Sequence, residues 1–266
     1  MSRHAPTISI ITAAKNALTP IRACVESVQQ QDYPAEHIIV VGSPKDRTAK
    51  ALENDFSSTA TILYEPDSGI YDAMNRGLAA TTGEVIATLN ADDFYAHGRV
   101  LSRAAEVFKN RSMDSCYGDL VYVAASNPSK VVRYWKSTPY RKELLYKGWM
   151  PPHPTFFARR SIYEKHGGFN PNLGTSADYE LMLRFFMRNH ICAEYIPEVM
   201  VIMRNGGQSN SSLRNRIKAN RMDKMAWRIN GLKAKPWTFM AKPLLKIGQY
   251  FFKNTTPWKG LPYGPS

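Results

Sequence analysis

Two adjacent carboxylates, Asp92 and Asp93, close the run Val85-Ile86-Ala87-Thr88-Leu89-Asn90-Ala91. The β-branched and apolar start of that run predicts a strand. Inside a strand each acid would cost several kcal/mol through desolvation, whereas at its carboxyl end both face the crevice where open α/β sheets bind ligands. Oxygen ligands of this kind suit a divalent cation, which in turn can hold a diphosphate. Asp92 and Asp93 are therefore the candidate metal residues. Upstream, Asp67 and Asp72 flank the start of a helical segment containing Ala73 to Leu78. They either cap that helix or meet sugar and ribose hydroxyls, and Asn75 shares the second role. Downstream, His153 stands between Pro152 and Pro154 in a stiff loop, where it either packs or holds an imidazole against acceptor or diphosphate. Asp178 lies in the first turn of a helix over 176–184, either as a favourable charge at that helix start or as a reacting carboxylate.

The elements that must position these groups alternate in type. Thr7 to Ala13 is a β-branched strand ending in the polar break Lys15-Asn16, which makes Ala13 and Asn16 candidate nucleotide contacts. A helix over 21–28, a buried strand over 37–41, a helix over 48–56 and a short strand over 60–64 follow, and the stretch 65–93 supplies the next helix and strand. Strand, loop and helix in this order predict a parallel, doubly wound sheet. After one more helix before Asn110, strands over 116–125 and 130–135 form a hairpin around Asn127-Pro128, which marks a change to mixed architecture. A short strand over 156–158 precedes the helix of Asp178, residues 204–212 read as a loop, and Leu213 to Ile229 as a basic helix.

Charge divides the chain unevenly. Residues 204–266 hold thirteen of the 35 Lys and Arg but one of the 22 acids, so they carry +12 of the net +13 and residues 1–203 carry +1. A neutral body of two intimate halves, about 1–110 and 111–203, thus precedes a basic tail. Within 236–253, Met240, Leu244, Ile247 and Phe251 form a helical stripe among lysines, too short to span a bilayer and suited to lying on an anionic one. No uninterrupted apolar run of spanning length and no signal-peptide pattern appears, which predicts a cytoplasmic protein, peripheral on the inner face of the plasma membrane. Cys24, Cys116 and Cys192 lack metal-ligand spacing and read as reduced, buried thiols. No nucleic-acid motif accompanies the tail's charge, so nucleic acid is not an expected partner.

Taken together, Glu65-Pro66-Asp67-Ser68-Gly69-Ile70-Tyr71-Asp72-Ala73-Met74-Asn75-Arg76-Gly77, Leu89-Asn90-Ala91-Asp92-Asp93 and the segment 176–184 resemble glycosyltransferase family 2, in particular bacterial exopolysaccharide and colanic acid enzymes. The resemblance covers residues 7–210. It implies a GT-A-like α/β fold and an inverting transfer of a sugar from a nucleotide-diphosphate donor to an acceptor hydroxyl, and a tail lying on the membrane points to a glycan or polyprenyl-diphosphate-linked acceptor. It also implies Mg²⁺ or Mn²⁺ on Asp92, a ribose contact at Asn90, Asp93 as supporting or alternative ligand, and Asp178 as catalytic base. Two positions depart from the family pattern: Val41 replaces the Asp that reads the nucleotide base, and Ala177 replaces the Glu before the catalytic Asp. These departures leave a non-catalytic scaffold subunit of a polysaccharide assembly complex as the rival reading.

Overall fold

The structure, a computed structural model, describes residues 5–66, 68–125, 127–205, 213–239 and 249. Strands β1 (Ile8–Ala14), β2 (Ala35–Val41), β3 (Thr61–Tyr64) and β4 (Val85–Thr88) form a parallel sheet in the order β3-β2-β1-β4. Between them run α1 (Ile21–Gln29), α2 (Arg47–Phe56) and α3 (Ile70–Ala80). Side chains alternate along each strand, so β1 sends Ile8 and Ile10 into one core and Ile11 into the other, and β4 sends Val85 and Ala87 opposite to Ile86. The first core lies under α1, α2 and α4 (Val100–Phe108). The second gathers α3 with the elements around Asp178.

Beyond β4 the sheet turns mixed. The antiparallel strand β8 (Phe157–Arg159) joins β4 to β6 (Ser115–Ala124), and β6 pairs in parallel with β9 (Ala193–Asn205). The two-residue β5 (Phe94–Tyr95) closes the far edge on β9. The hairpin partner β7 (Asn127–Trp135) starts earlier than the sequence predicts: Asn127 already pairs with Ala124, so the turn precedes it. Pro128 is tolerated because, among the described residues, β7 is bonded on one side only. The long β9 escapes sequence reading because Pro197 interrupts it. There the β6 register jumps from Tyr117↔Tyr195 to Asp119↔Val199, and the apolar run resumes afterwards.

Three helices complete the mixed half: α5 (Lys142–Tyr146), α6 (Arg160–His166) and α7 (Ala177–Met182), the last continuing as a π-helical turn through Arg188. The basic helix α8 (Leu213–Ile229) packs on α7 and on the turn Pro171–Ser176, and buries Ala226 and Trp227. The folded body therefore continues past residue 203. Cys24 and Cys116 are buried and Cys192 is exposed, all three as free thiols. Among the described residues no helix is long and apolar enough to cross a membrane. The stripe residues Met240, Leu244, Ile247 and Phe251 lie outside the described residues.

One buried group gives the fold a pH dependence. His37 on β2 is 4% exposed, with Nε2 2.9 Å from Thr12 Oγ1 and no partner for Nδ1 among the described residues. Burial lowers its pKa from 6.5 to about 4. The unfolded chain takes up a proton that the folded chain refuses, so the neutral ring's contribution is complete above the unfolded pKa and is lost as pH falls towards the folded one. Urea denaturation should show stability about 2 kcal/mol lower at about pH 5 than at about pH 7.5 from this group alone. His37→Gln should remove that slope, and an unchanged slope would exclude His37 as its source.

Candidate active site

The carboxyl ends of β1, β2 and β4 share one edge of the sheet. Beyond β1, Asn16 adopts φ 51°, and its backbone N–H donates to Asp46 Oδ2 at 2.9 Å. Asp46 is also the N-cap of α2, accepting from the Thr48 N–H at 2.9 Å, while Thr48 Oγ1 accepts from the Ala17 N–H at 2.9 Å. The two loops that open this edge are thus stitched together. Burial opposes ionisation of Asp46, but the amide donors of Asn16 and Thr48 outweigh it and hold its pKa below the usual value. Sequence reading passed over Asp46, although an acid immediately before a helix start is an N-cap signature. Ala13 lies beside this loop, half-buried and paired with Val40.

At the end of β4, the Leu89 N–H donates to Ile11 O at 2.9 Å, carrying the pairing one residue past the strand. The chain then turns. Asn90 Nδ2 donates to Asp93 Oδ2 at 2.7 Å, and the Asp93 N–H returns to Asn90 O at 3.0 Å. Asp93 is fully buried, and among the described residues Oδ1 has no partner within hydrogen-bond geometry, whereas Asp92 is half-buried. Burial first, and then the charge of Asp92, push the Asp93 carboxyl well above the usual range against the pull of Asn90 and Arg204. Arg204 comes from β9, lies 5.7 Å from the Phe94 ring centroid, and has its Nε buried with no partner among the described residues. Of the two expected metal residues, only Asp92 meets solvent. Asp93 faces inward and fixes Asn90.

The helix α3 carries the densest part of the sequence motif. Gly69 at its N-cap has φ 140°, a conformation that side chains rarely allow. At Gly77 a Cβ would overlap Ile11 Cγ2 and press on Val40 Cγ2, so glycine lets α3 lie close on β1 and β2. Asp72, in the first turn of α3, takes the Ser68 N–H at 3.0 Å and pairs with Arg76 one turn further on. Asn75 spans to the other half: Nδ2 donates to Phe169 O at 2.9 Å and Oδ1 accepts from the Phe169 N–H at 2.8 Å. Its amide is committed to joining the halves. Asp67 lies outside the described residues.

His153 and Asp178 meet. Thr155, fully buried, bonds Gly118 O at 3.0 Å and Pro152 O at 2.8 Å, fixing the stiff loop on β6. The single turn His153–Thr155 so held puts His153 Nδ1 2.9 Å from Asp178 Oδ2, with the side chains 24% and 14% exposed. Asp178 Oδ1 accepts from the Tyr179 N–H at 2.7 Å. Tyr71 of α3 adds a third neighbour. Burial, and after it the Asp178 charge, push the Tyr71 hydroxyl well above its usual pKa, while a bond to the Asp178 backbone opposes them. The His153 turn also packs against β4, the strand that ends in the Asn90–Asp93 turn. The structure thereby brings a strand-end carboxylate and a histidine-bonded carboxylate onto neighbouring elements.

The model of the family described as "Glycosyl transferase family 2" matches residues 9–167. The chain belongs to glycosyltransferase family 2. It is 32% identical to an uncharacterized glycosyltransferase of Mycobacterium tuberculosis strain H37Rv over 184 residues, 68% of this chain and 69% of that one. It is 28% identical over 215 residues to a PGL/p-HBAD biosynthesis glycosyltransferase of Mycobacterium bovis strain BCG, covering 78% and 80%. Two solved structures share the fold. S. aureus TarS 1-349 in complex with UDP-GlcNAc gives a TM-score of 0.64 at 14% identity, covering 88% of this chain and 69% of that one. The mannosyltransferase PcManGT of Pyrobaculum calidifontis, in complex with GDP-Man and Mn²⁺, gives 0.63 at 20% identity, covering 93% and 70%. The glycosyltransferase described here has the GT-A fold.

Whether its residues suit a divalent cation is a question of donor chemistry. Among the described residues no group of three His, Cys, Asp or Glu surrounds a common point. A cation that keeps several waters and binds a diphosphate needs one or two carboxylates, not a full protein cage. Asp92, at a turn braced by the Asn90–Asp93 bond, fits that requirement.

Proposed function

We propose that this glycosyltransferase transfers a sugar, with inversion, from a nucleotide-diphosphate donor to a glycan or polyprenyl-diphosphate-linked acceptor in polysaccharide assembly. The observation that carries the reading is the packing of the His153 turn, which bonds Asp178, against the strand that leads into the Asp92 turn. The donor would lie over the edge formed by Ala13, Asn16 and Asn90, with Asp92 holding Mg²⁺ or Mn²⁺. Such an ion supplies charge neutralisation to the leaving diphosphate. Asp178 takes the acceptor hydroxyl proton as the new glycosidic oxygen–carbon bond forms and the bond from the anomeric carbon to the diphosphate oxygen breaks. His153, bonded to Oδ2, fixes the direction in which that carboxylate presents itself. Attachment to the cytoplasmic face of a membrane, supported by the +12 charge of residues 204–266, would bring the enzyme to a lipid-linked acceptor.

The donor complexes of TarS with UDP-GlcNAc and of PcManGT with GDP-Man and Mn²⁺ support the choice of donor class and ion. The test is thermal stabilisation by UDP-, GDP-, dTDP- and CMP-sugars, each with and without Mn²⁺. One nucleotide should raise the melting temperature only with metal, and Asp92→Ala should lose that metal-dependent shift while melting normally without ligand. Absence of any shift, with or without liposomes, would favour the scaffold reading.

A further inference from the structure

Away from the Asp92 and Asp178 groups, a cavity of about 340 Å³ opens between α5 and the segment after α8, lined by Lys142, Glu143, Tyr146, Lys147, Lys235 and Trp237. It is a built feature. The buried Thr238 donates to Tyr146 O at 2.7 Å and accepts from the Lys235 N–H at 3.2 Å, while its own N–H returns to Lys235 O at 3.0 Å, so the turn 235–238 is pinned to α5. Lys235 Nζ stands 5.3 Å from the ring centroids of both Tyr146 and Trp237. Trp237 is nevertheless 52% exposed.

We propose that this cavity is a docking site for the phosphate headgroup of an anionic phospholipid in a bilayer surface. Three lysines against one glutamate make the lining cationic, and the compact charge of lysine suits a phosphate without demanding one fixed geometry. A half-exposed tryptophan beside lysines is the arrangement that settles at a headgroup layer, with its indole in the interface. Charge complementarity extends along the chain: from Lys224 to Ser266 there are eight Lys or Arg and no acid. The site also touches the chemistry. Tyr146 packs on Trp227 with ring centroids 5.3 Å apart, and Trp227 Nε1 donates at 2.9 Å to the hydroxyl of Tyr179, the residue after Asp178. A bilayer held at the cavity therefore lies on the acceptor side of the enzyme. This inference rests on the membrane attachment proposed above and gives it a location.

The test uses the full chain in flotation with vesicles of phosphatidylcholine alone and vesicles in which phosphatidylglycerol replaces part of it. Wild type should bind only the anionic vesicles. Lys147→Gln/Lys235→Gln should weaken that binding about tenfold or more, and Trp237→Ala should weaken it too, with unchanged melting temperatures. Wild type failing to bind anionic vesicles would overturn both the site and the membrane attachment. Wild-type binding that the lysine variant retains would overturn the site alone. Soluble glycerol phosphate competing as well as vesicles, or tighter binding of an oligonucleotide lost in the same variant, would reassign the cavity to a free phosphate or to nucleic acid.

Discussion

Asp178→Asn is expected to bind donor like wild type and to lose turnover by about 10²–10⁴-fold. The substitution keeps the size and planarity of the side chain, and the amide oxygen still accepts from the Tyr179 N–H that now meets Oδ1. The side chain loses the capacity to hold a proton. Removal of the acceptor proton must then fall to water, which lacks both the position and the basicity of a fixed carboxylate. His153→Ala is the instructive partner. It keeps the carboxylate but frees it from its bond at 2.9 Å, so it should slow turnover less and leave donor affinity unchanged. Calorimetric titration with donor and single-turnover product formation separate binding from chemistry. Normal turnover in Asp178→Asn would remove Asp178 as the base.

Much of this arrangement is legible in the sequence because it is local. The runs Ile8–Ala14 and Ala35–Val41 are β-branched and apolar, and the helices between them carry clear spacing, so the parallel half follows from periodicity. Asp178 and the turn at Asp92 are marked by position, one in the first turn of a helix and one past a strand. What stays hidden depends on distant partners. Asn75 shows only as a polar residue on a helix until Phe169, 94 residues away, takes both ends of its amide. Asp93 looks equivalent to Asp92 until the fold is seen to bury it fully, with Arg204 acting on it. Tyr71 reaches Asp178 only because α3 and α7 share a core. The strand β9 stays hidden behind Pro197, and the two-residue β5 is too short for a period to show.

Arg184→Met is expected to cost about 3–5 kcal/mol of stability, the penalty for leaving a buried charge without its partner. Arg184 is 13% exposed and its partner Glu180 3%. The guanidinium meets Glu180 at 2.9 and 3.0 Å and also donates to the carbonyls of His166, Gly167 and Gly168 at 2.5, 2.7 and 2.5 Å. One side chain thus satisfies a carboxylate on α7 and three successive carbonyls of the turn after α6. A methionine fills the volume and satisfies none of them. Glu180→Gln in the same background should recover part of the loss, because the amide can keep its bond from Asn230 Nδ2, now 3.0 Å, without a buried charge. Urea unfolding of the two variants measures the difference, and a loss below about 1 kcal/mol in Arg184→Met would mean that water replaces the guanidinium at this site. The consequence for catalysis follows from connectivity. The turn that Arg184 clamps continues directly into Phe169, which holds Asn75 and packs on Tyr71 with centroids 5.4 Å apart. Loosening the clamp releases α3 from the helix that carries Asp178, so the folded fraction of Arg184→Met should also turn over more slowly, while Asp178→Asn keeps full stability.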